Sequence, residues 1–319
     1  MAHCAGTPPR STLLVRGNEV VALDPSLAAD GAKGRRLEVG MVGNGHGGCG
    51  AVRVVPAQRD VLALANDLET ECSEYCGIEW TNPPKPVRDG LATHSKYKAF
   101  AAVPPEDMAI SIRMYTRTAC RRICEAAFAY AKKHGYKTVT VCEKPNVLRE
   151  TSGMMEEEAR RVKENYPGID LWSTNIDAQM MWLTKNPEDY GVLVAENLFG
   201  DIVSDAFAGL VGGLGFACSG NIGDEVAVFE PTHGSAPKYE QLDPPIVNPI
   251  AMILSAAMLL DHVGEIDKAE RVRGAVATVV REGRVRTYDM MRLAGGPKSI
   301  ANGAATSIQM TDAILAHLK

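Results

Sequence analysis

Apolar residues recur at helical spacing through the middle of the chain. From Thr116 to Lys133 they fall at Ala119, Ile123, Ala126, Ala127 and Tyr130, which predicts an amphipathic helix closed by Gly135. Thr138 to Cys142 is short and β-branched and reads as a strand. Ser152 to Asn165 is again helical and stops at the turn Asn165-Tyr166-Pro167-Gly168. Asp170 to Thr174 predicts a second strand, Ala178 to Thr184 a helix, and Tyr190 to Ala195 a third strand. Further helices are expected at Pro249–Val263, Ala269–Arg281 and Ser307–Leu318. Residues 1 to about 60 mix Gly, Pro and short apolar runs, with no clear helix. Strands alternating with helices imply an α/β fold with substantial parallel pairing.

Composition and charge narrow the class. At 319 residues, 45% hydrophobic and 23% charged, the chain is long enough for two domains and a substantial core. A net charge of −5 gives no footprint for nucleic acid or an anionic membrane, so neither is expected as a partner. The longest apolar run, Ile250 to Leu260, is too short to span a bilayer. The first eighteen residues hold Arg10, Arg16 and several Ser and Thr but no acid, a weak transit-peptide bias without an amphipathic repeat. Eight cysteines in a chain this long do not read as a disulfide framework. Cys72/Cys76 and Cys120/Cys124 are each four apart, but zinc-site spacing is absent. Free, mostly buried thiols in a reducing compartment are expected, hence a cytoplasmic protein, with the mitochondrial matrix as the alternative.

The chemistry concentrates in three segments. Glu196-Asn197-Leu198-Phe199-Gly200-Asp201-Ile202-Val203-Ser204-Asp205 places two carboxylates four residues apart, on one helical face. Adjacent carboxylates repel unless a cation lies between them, and hard oxygen ligands suit Mg²⁺ or Mn²⁺. The apolar flanks Leu198, Phe199, Ile202, Val203 and Phe207 predict a helix packed into the interior rather than a solvated acidic face. A Gly-rich stretch from Gly209 to Gly223 follows. Phe229 to Lys238 sets small residues around His233, a loop whose backbone can approach a ligand closely and offer N–H groups to phosphate. Lys144 stands at the end of a predicted strand, where ligands gather in α/β sheets, and such a Lys can serve in proton transfer near a metal. Gly43-Asn44-Gly45-His46-Gly47-Gly48 fits G-x-G-x-x-G, but a strand-like Ala51 to Pro56 follows where the dinucleotide motif requires a helix. It reads as a flexible glycine loop.

Glu143-Lys144-Pro145-Asn146-Val147-Leu148, Asn175-Ile176-Asp177, Glu196 to Asp205, and His233-Gly234-Ser235-Ala236-Pro237 occur in this order. Together they resemble the isocitrate/isopropylmalate dehydrogenase family of metal-dependent β-decarboxylating dehydrogenases, from about Thr116 to the C-terminus. The resemblance implies an α/β, two-domain fold with a mixed, largely parallel sheet. It implies that Asp201 and Asp205 bind the metal, with Asp177 contributed across a dimer interface. Lys144 corresponds to the catalytic lysine, also supplied by the partner subunit, and Asn146 lies where the family meets substrate and nicotinamide. Tyr75, in Tyr75-Cys76-Gly77-Ile78-Glu79, resembles the catalytic tyrosine. Glu230, His233, Gly234, Ser235 and Ala236 resemble the cofactor loop, and Asn248 the adenine-contacting asparagine. Lys238-Tyr239 stand where NAD-dependent members carry an Asp, and Tyr288 and Arg292 resemble a clamp for the 2′-phosphate. NADP is therefore expected over NAD, since a cation with donors suits that phosphate and an Asp repels it.

The first third departs from the family pattern. Its Gly-Asp-Gly-Ile-Gly-Pro-Glu loop has no counterpart, and neither has its Arg-rich helix. Arg53, in Ala51-Val52-Arg53-Val54-Val55-Pro56, matches a second substrate-arginine motif. The third motif is replaced by Leu68-Glu69-Thr70-Glu71-Cys72-Ser73-Glu74, which lacks the Arg. Two function classes stand. One is an NADP-linked oxidative decarboxylase of a 2-hydroxy acid, isocitrate first, with 3-isopropylmalate, homoisocitrate or tartrate as alternatives. The other is a non-catalytic homologue that serves as a regulatory or structural subunit. In either, the expected architecture is a homodimer with discontinuous domains: residues 1–48 with 212–319 on the cofactor side, and residues 49–211 carrying the catalytic and metal groups.

Overall fold

The computed structural model describes residues 13–16, 19–22, 78–222, 226–234 and 236–318. Strands β1 (Leu13–Arg16) and β2 (Glu19–Ala22) pair antiparallel. After β3 (Glu79–Thr81) come α1 (Lys85–Ala92) and β4 (Ala109–Ser111), and β3 and β4 form an antiparallel ribbon. The regular middle runs α2 (Arg117–His134), β5 (Thr138–Glu143), α3 (Thr151–Lys163), β6 (Asp170–Asn175), α4 (Ile176–Lys185), β7 (Val192–Val194) and α5 (Asn197–Val211). The last part comprises β8 (Cys218–Ile222), β9 (Val226–Pro231), α6 (Ile250–His262), α7 (Ile266–Glu282), α8 (Pro297–Ala301) and α9 (Ser307–His317).

The α/β character expected from the alternation is present. β6, β5 and β7 form a parallel sheet in that order, with β5 in the centre. The second sheet, β2-β1-β9-β8, is antiparallel throughout its described pairs. The strands of this sheet and of the β3–β4 ribbon carry no periodic signal in the sequence, because short strands that pair locally hold little pattern. Within the Gly-rich stretch, Cys218–Ile222 is a strand rather than a loop.

Helix α2 shows how local chemistry sets the frame. Thr116 caps its start, its hydroxyl accepting the Ala119 N–H at 3.2 Å, and Gly135 ends it in the left-handed conformation at φ +76°. The buried face is Cys120, Cys124, Ala127, Phe128 and Ala131. Ala126 and Tyr130, which the spacing puts on the apolar stripe, are exposed. The cysteines act as small hydrophobes and rotate the stripe toward Phe128. Burial pushes the Cys124 thiol up to about 12, as it does for Cys142. All four described cysteines are free.

β5 is buried from Val139 through Glu143. Its side chains alternate: Val139 and Val141 pack with Phe128, Met155, Ile169 and Val194, whereas Cys142 packs with Ile176, Leu183, Ala195 and Val203. A separate cluster of Ile250, Ala275, Val276, Val279, Met310 and Ile314 joins α6, α7 and α9. Among the described residues no helix is long and apolar enough to cross a membrane.

One buried carboxylate fastens α3 to α2. Glu158 has no exposed side-chain surface and meets Arg121 Nε at 2.9 Å, Arg117 Nη1 at 3.2 Å and Arg161 Nη1 at 2.5 Å. Burial opposes its charge, but the hydrogen bonds from Arg121 and Arg117 prevail and hold its carboxyl below the usual carboxylate range. Glu158→Gln should therefore lower stability by on the order of 1–2 kcal/mol at neutral pH, a modest figure because the arginines are half exposed and screened. A depressed acid contributes above its unfolded value, about 4.3, and loses that contribution as pH falls through its lower folded value. Denaturant titrations of both proteins should thus differ at pH 7 and converge in acid; a gap that widens toward low pH would contradict the assignment.

Candidate active site

The C-terminal edge of the parallel sheet gathers the candidate groups, because β5, β6 and β7 all end there. β5 runs out at Glu143, and Lys144 follows half-buried. The Lys144 N–H donates to Ser152 Oγ at 3.2 Å, and Ser152 Oγ donates to Glu143 Oε2 at 2.7 Å. Asn146 and Val147 then lie exposed in a turn whose Val147 and Leu148 N–H groups return to the Lys144 carbonyl. β6 ends at Asn175, which leads directly into α4 and places Asp177 in its first turn. Lys144 Nζ lies 2.5 Å from Asp177 Oδ1. The hydrogen bond from Lys144 holds the Asp177 carboxyl below the usual range, against a smaller desolvation effect, and the start of a helix favours the anion as well.

β7 delivers the third group. Glu196, nearly fully buried, caps α5: its carboxylate accepts the Phe199 N–H at 3.0 Å and the Leu198 N–H at 3.2 Å, and Arg113 Nη2 lies 3.5 Å away. Its own N–H donates to Glu143 Oε1 at 3.3 Å. Asp201 and Asp205 follow one turn apart on α5, Asp201 half-buried and Asp205 exposed. The helix is less interior than its apolar flanks predict. Val203 and Ala208 are buried, but Ile202 is 42%, Leu210 48% and Val211 65% exposed, because only one face of α5 meets the core beside β5. Among the described residues, no group of three or more His, Cys, Asp or Glu side chains gathers to hold a metal within one chain. The chain alone presents two oxygen donors on α5 and a separate Lys144–Asp177 pair.

A second group of predicted residues surrounds the end of β9. Glu230 lies on β9; burial holds its carboxyl above the usual range, opposed by the Asn221 amide at 3.0 Å, and its Oε2 is buried without a partner. His233 Nδ1 lies 3.0 Å from the Gly234 carbonyl oxygen. Ala236, at φ +43°, adopts the left-handed conformation immediately before Pro237, a doubly disfavoured backbone. Arg292, at φ +55°, is another of the three non-glycine residues in this region of conformational space among the described residues. Tyr239 and Tyr288 meet with ring centroids 5.8 Å apart, and Lys238 Nζ lies 4.8 Å from the Tyr239 ring. The hydrogen bond with Tyr288 lowers the Tyr239 phenol, and burial raises that of Tyr288.

Asn248 is almost fully buried, and both ends of its amide are engaged: Oδ1 accepts the Ile250 N–H at 3.0 Å and Nδ2 donates to Asp289 Oδ2 at 2.9 Å. Asp289 also accepts from Thr287 Oγ1 at 2.5 Å, and Gly215 approaches so closely that a Cβ would stand 2.5 Å from Asp289 Oδ2. Sequence reasoning misses Asp289; its position between Tyr288 and Arg292 is the available signal. Tyr75, Arg53 and Ser235 lie outside the described residues, as do Cys72, Cys76 and the Gly43–Gly48 motif.

The family described as isocitrate/isopropylmalate dehydrogenase matches residues 74–314. A 3-isopropylmalate dehydrogenase of Archaeoglobus fulgidus is 44% identical over 184 residues, 58% of this chain and 56% of that protein. A mitochondrial regulatory subunit of the NAD isocitrate dehydrogenase of Dictyostelium discoideum is 39% identical over 199 residues, 62% of this chain and 56% of that one. Among solved structures, the isocitrate dehydrogenase of Methylococcus capsulatus superposes with a TM-score of 0.64 at 36% identity, covering 77% of this chain and 64% of that chain. The chain spans about half the length of the curated relatives it matches.

The geometry around Asn248 makes a prediction independent of any ligand. Asn248→Ala removes both the hydrogen bond at the start of α6 and the tie to Asp289, and should cost about 1–2 kcal/mol of stability in the ligand-free protein. Equilibrium unfolding checks it; an unchanged midpoint would mean that the amide serves a ligand rather than the fold.

Proposed function

The chain belongs to the isocitrate/isopropylmalate dehydrogenase family, and from that premise we propose that it carries out the NADP-linked oxidative decarboxylation of a 2-hydroxy di- or tricarboxylic acid. Isocitrate to 2-oxoglutarate is the leading reaction; 3-isopropylmalate, homoisocitrate or tartrate oxidation is the alternative. The observation that carries the reading is the Lys144–Asp177 pair at 2.5 Å on the C-terminal edge of the parallel sheet, where the third strand leads into the helix of Asp201 and Asp205. Sheet edges of this kind are where α/β enzymes bind ligands.

The residues fit the groups such a reaction needs. Asp201 and Asp205 supply hard oxygens suited to Mg²⁺ or Mn²⁺, but two are too few, and Asp177 of a second copy completes the set. On α5, Ile202, Leu210 and Val211 are exposed, and on α4, which packs against it, so are Met181 and Trp182, 47% and 43% exposed. An apolar face of that extent supports a homodimer whose sites are shared between chains. The unpartnered Glu230 Oε2 beside the strained Ala236 loop is an acceptor that ribose hydroxyls would satisfy. Lys238, Tyr239, Tyr288 and Arg292 supply donors and positive charge for a 2′-phosphate, which favours NADP over NAD. Residues 49–211 carry the catalytic and metal groups, and residues 1–48 with 212–319 form the cofactor side.

On this reading a base near Lys144, itself paired with Asp177, takes the substrate's hydroxyl proton as hydride leaves the same carbon. The nicotinamide, when bound, would supply the hydride acceptor, and a divalent cation held by Asp201, Asp205 and Asp177 of a second copy would supply a Lewis acid for the decarboxylation. Tyr75 or its proton relay returns a proton to the enolate carbon, and Asn146 orients substrate and nicotinamide. Arg53 pairs with a substrate carboxylate. The missing arginine motifs in the first third, and a relative that is a regulatory subunit, support a second reading: a non-catalytic subunit that keeps the fold and the dimer.

Reduction of NADP⁺ and NAD⁺ with Mn²⁺ and each candidate acid separates the two readings. Turnover on one acid, abolished by Asp201→Asn, is expected. Exchanging subunits between inactive Lys144→Ala and Asp201→Asn proteins should then restore about a quarter of the wild-type rate, since half the dimers become mixed and each keeps one of its two sites. A folded dimer inert toward every acid would leave the regulatory reading in its place.

A further inference from the structure

Glu143 is fully buried, and the reaction outlined above gives it no task. Its Oε2 accepts from Ser152 Oγ at 2.7 Å, and that hydroxyl accepts the Lys144 N–H at 3.2 Å. Its Oε1 accepts the N–H of Glu196 at 3.3 Å, and Glu196 is the residue that caps α5. One carboxylate therefore joins three elements: the end of β5 where Lys144 begins, the start of α3, and the head of the helix that bears Asp201 and Asp205.

A fully buried carboxylate is costly unless hydrogen bonds hold it, and such a group is retained where its geometry matters. Here it is held by a hydroxyl and a backbone N–H that belong to different elements. Hydrogen bonds thus link the Lys144 backbone through Ser152 and Glu143 to the Glu196 N–H and the first turn of α5.

We propose that Glu143 is a positioning residue that couples the two active sites of the dimer. The inference rests on the shared-site reading, in which Lys144 and Asp177 serve the partner's site while Asp201 and Asp205 serve the chain's own. Within one chain the Glu143 strut is then a contiguous route, among the described residues, between a group working in one site and a helix working in the other.

Mixed dimers of the full chain test it. One chain carries Lys144→Ala and the other Asp201→Asn, so the single intact site takes α5 from the first and Lys144 from the second. Glu143→Gln is then added to either chain. In the second chain it sits beside the working Lys144; in the first it can act only through α5. The expected result is a fall in kcat of about 10-fold in both placements, with the KM for NADP⁺ unchanged. A fall in one placement alone, or in neither, overturns the coupling. A readout without turnover accompanies it: Mn²⁺ titrated into the Glu143→Gln homodimer should bind about 10-fold more weakly than to wild type, and equal affinity overturns the proposal. Ser152→Ala keeps the carboxylate and removes one hydrogen bond, and it replaces Glu143→Gln if that variant fails to fold, with the same expected direction. Mixed dimers that stay inactive before any change at Glu143 would overturn the shared-site reading itself, and this inference with it.

Discussion

The central parallel strand is covered on both faces. Val139 and Val141 turn toward α2 and α3, Cys142 turns toward α4 and α5, and every residue from Val139 to Glu143 is buried. A strand in that position can display chemistry only where it ends. Its neighbours pair with it in parallel register, Glu143 opposite Asn175 and Val141 opposite Val194, so all three strands finish at the same edge. Lys144 and Asp177, which follow the first two strands, are thereby paired, and the Glu196 N–H after the third reaches Glu143 although more than fifty residues separate them. Packing, rather than any local preference of the loops, assembles the edge.

That edge has to accommodate buried charge, and the protein handles three carboxylates in three ways. Glu158 is neutralised by arginines from two helices and contributes to stability alone. Glu196 accepts the first N–H groups of α5, with Arg113 behind it, so the helix terminus provides much of its positive surroundings. Glu143 is held by a hydroxyl and a backbone N–H. The first arrangement tolerates small movements, because guanidinium groups at a half-exposed surface can follow the carboxylate. In the third, one donor is a backbone N–H fixed at the head of α5 and the other is a hydroxyl in the first turn of α3. A rigid arrangement directly beside Lys144 suits alignment of a reacting group better than it suits bulk stability.

Much of this is legible from the residues. The helices and strands from Thr116 to Asn197 are long, or bounded by clear signals such as Thr116, Gly135 and Pro167, and their spacing locates them within two residues. β1, β2, β8 and β9 are not legible, since four to six residues pairing antiparallel carry too little alternation, and Gly220 in β8 leaves room for the Phe229 ring, which a Cβ would meet at 2.9 Å. At the candidate site, Asp201, Asp205, Lys144 and Asp177 are readable because carboxylate spacing and motif order are written in the sequence. Ser152, Glu143 and Asp289 are not, because their roles arise from hydrogen bonds between elements far apart in the chain. Resemblance gives Asn248 a ligand role, yet its amide proves to be engaged in the fold first.

Helix α5 combines two features that conflict within a single chain. Its composition is that of an interior helix, yet Ile202, Leu210 and Val211 meet no core in a single chain. Its two aspartates are spaced for a cation, yet no third donor joins them among the described residues of the same chain. Each feature alone is a fault: exposed apolar surface invites association, and paired carboxylates repel. A second copy laid against α4 and α5 would remove both at once, covering the apolar face and bringing a further carboxylate toward Asp201 and Asp205. On the proposed reading, dimerisation and completion of the metal site are therefore one event, and the aspartate pair becomes the part of the interface on which the chemistry depends.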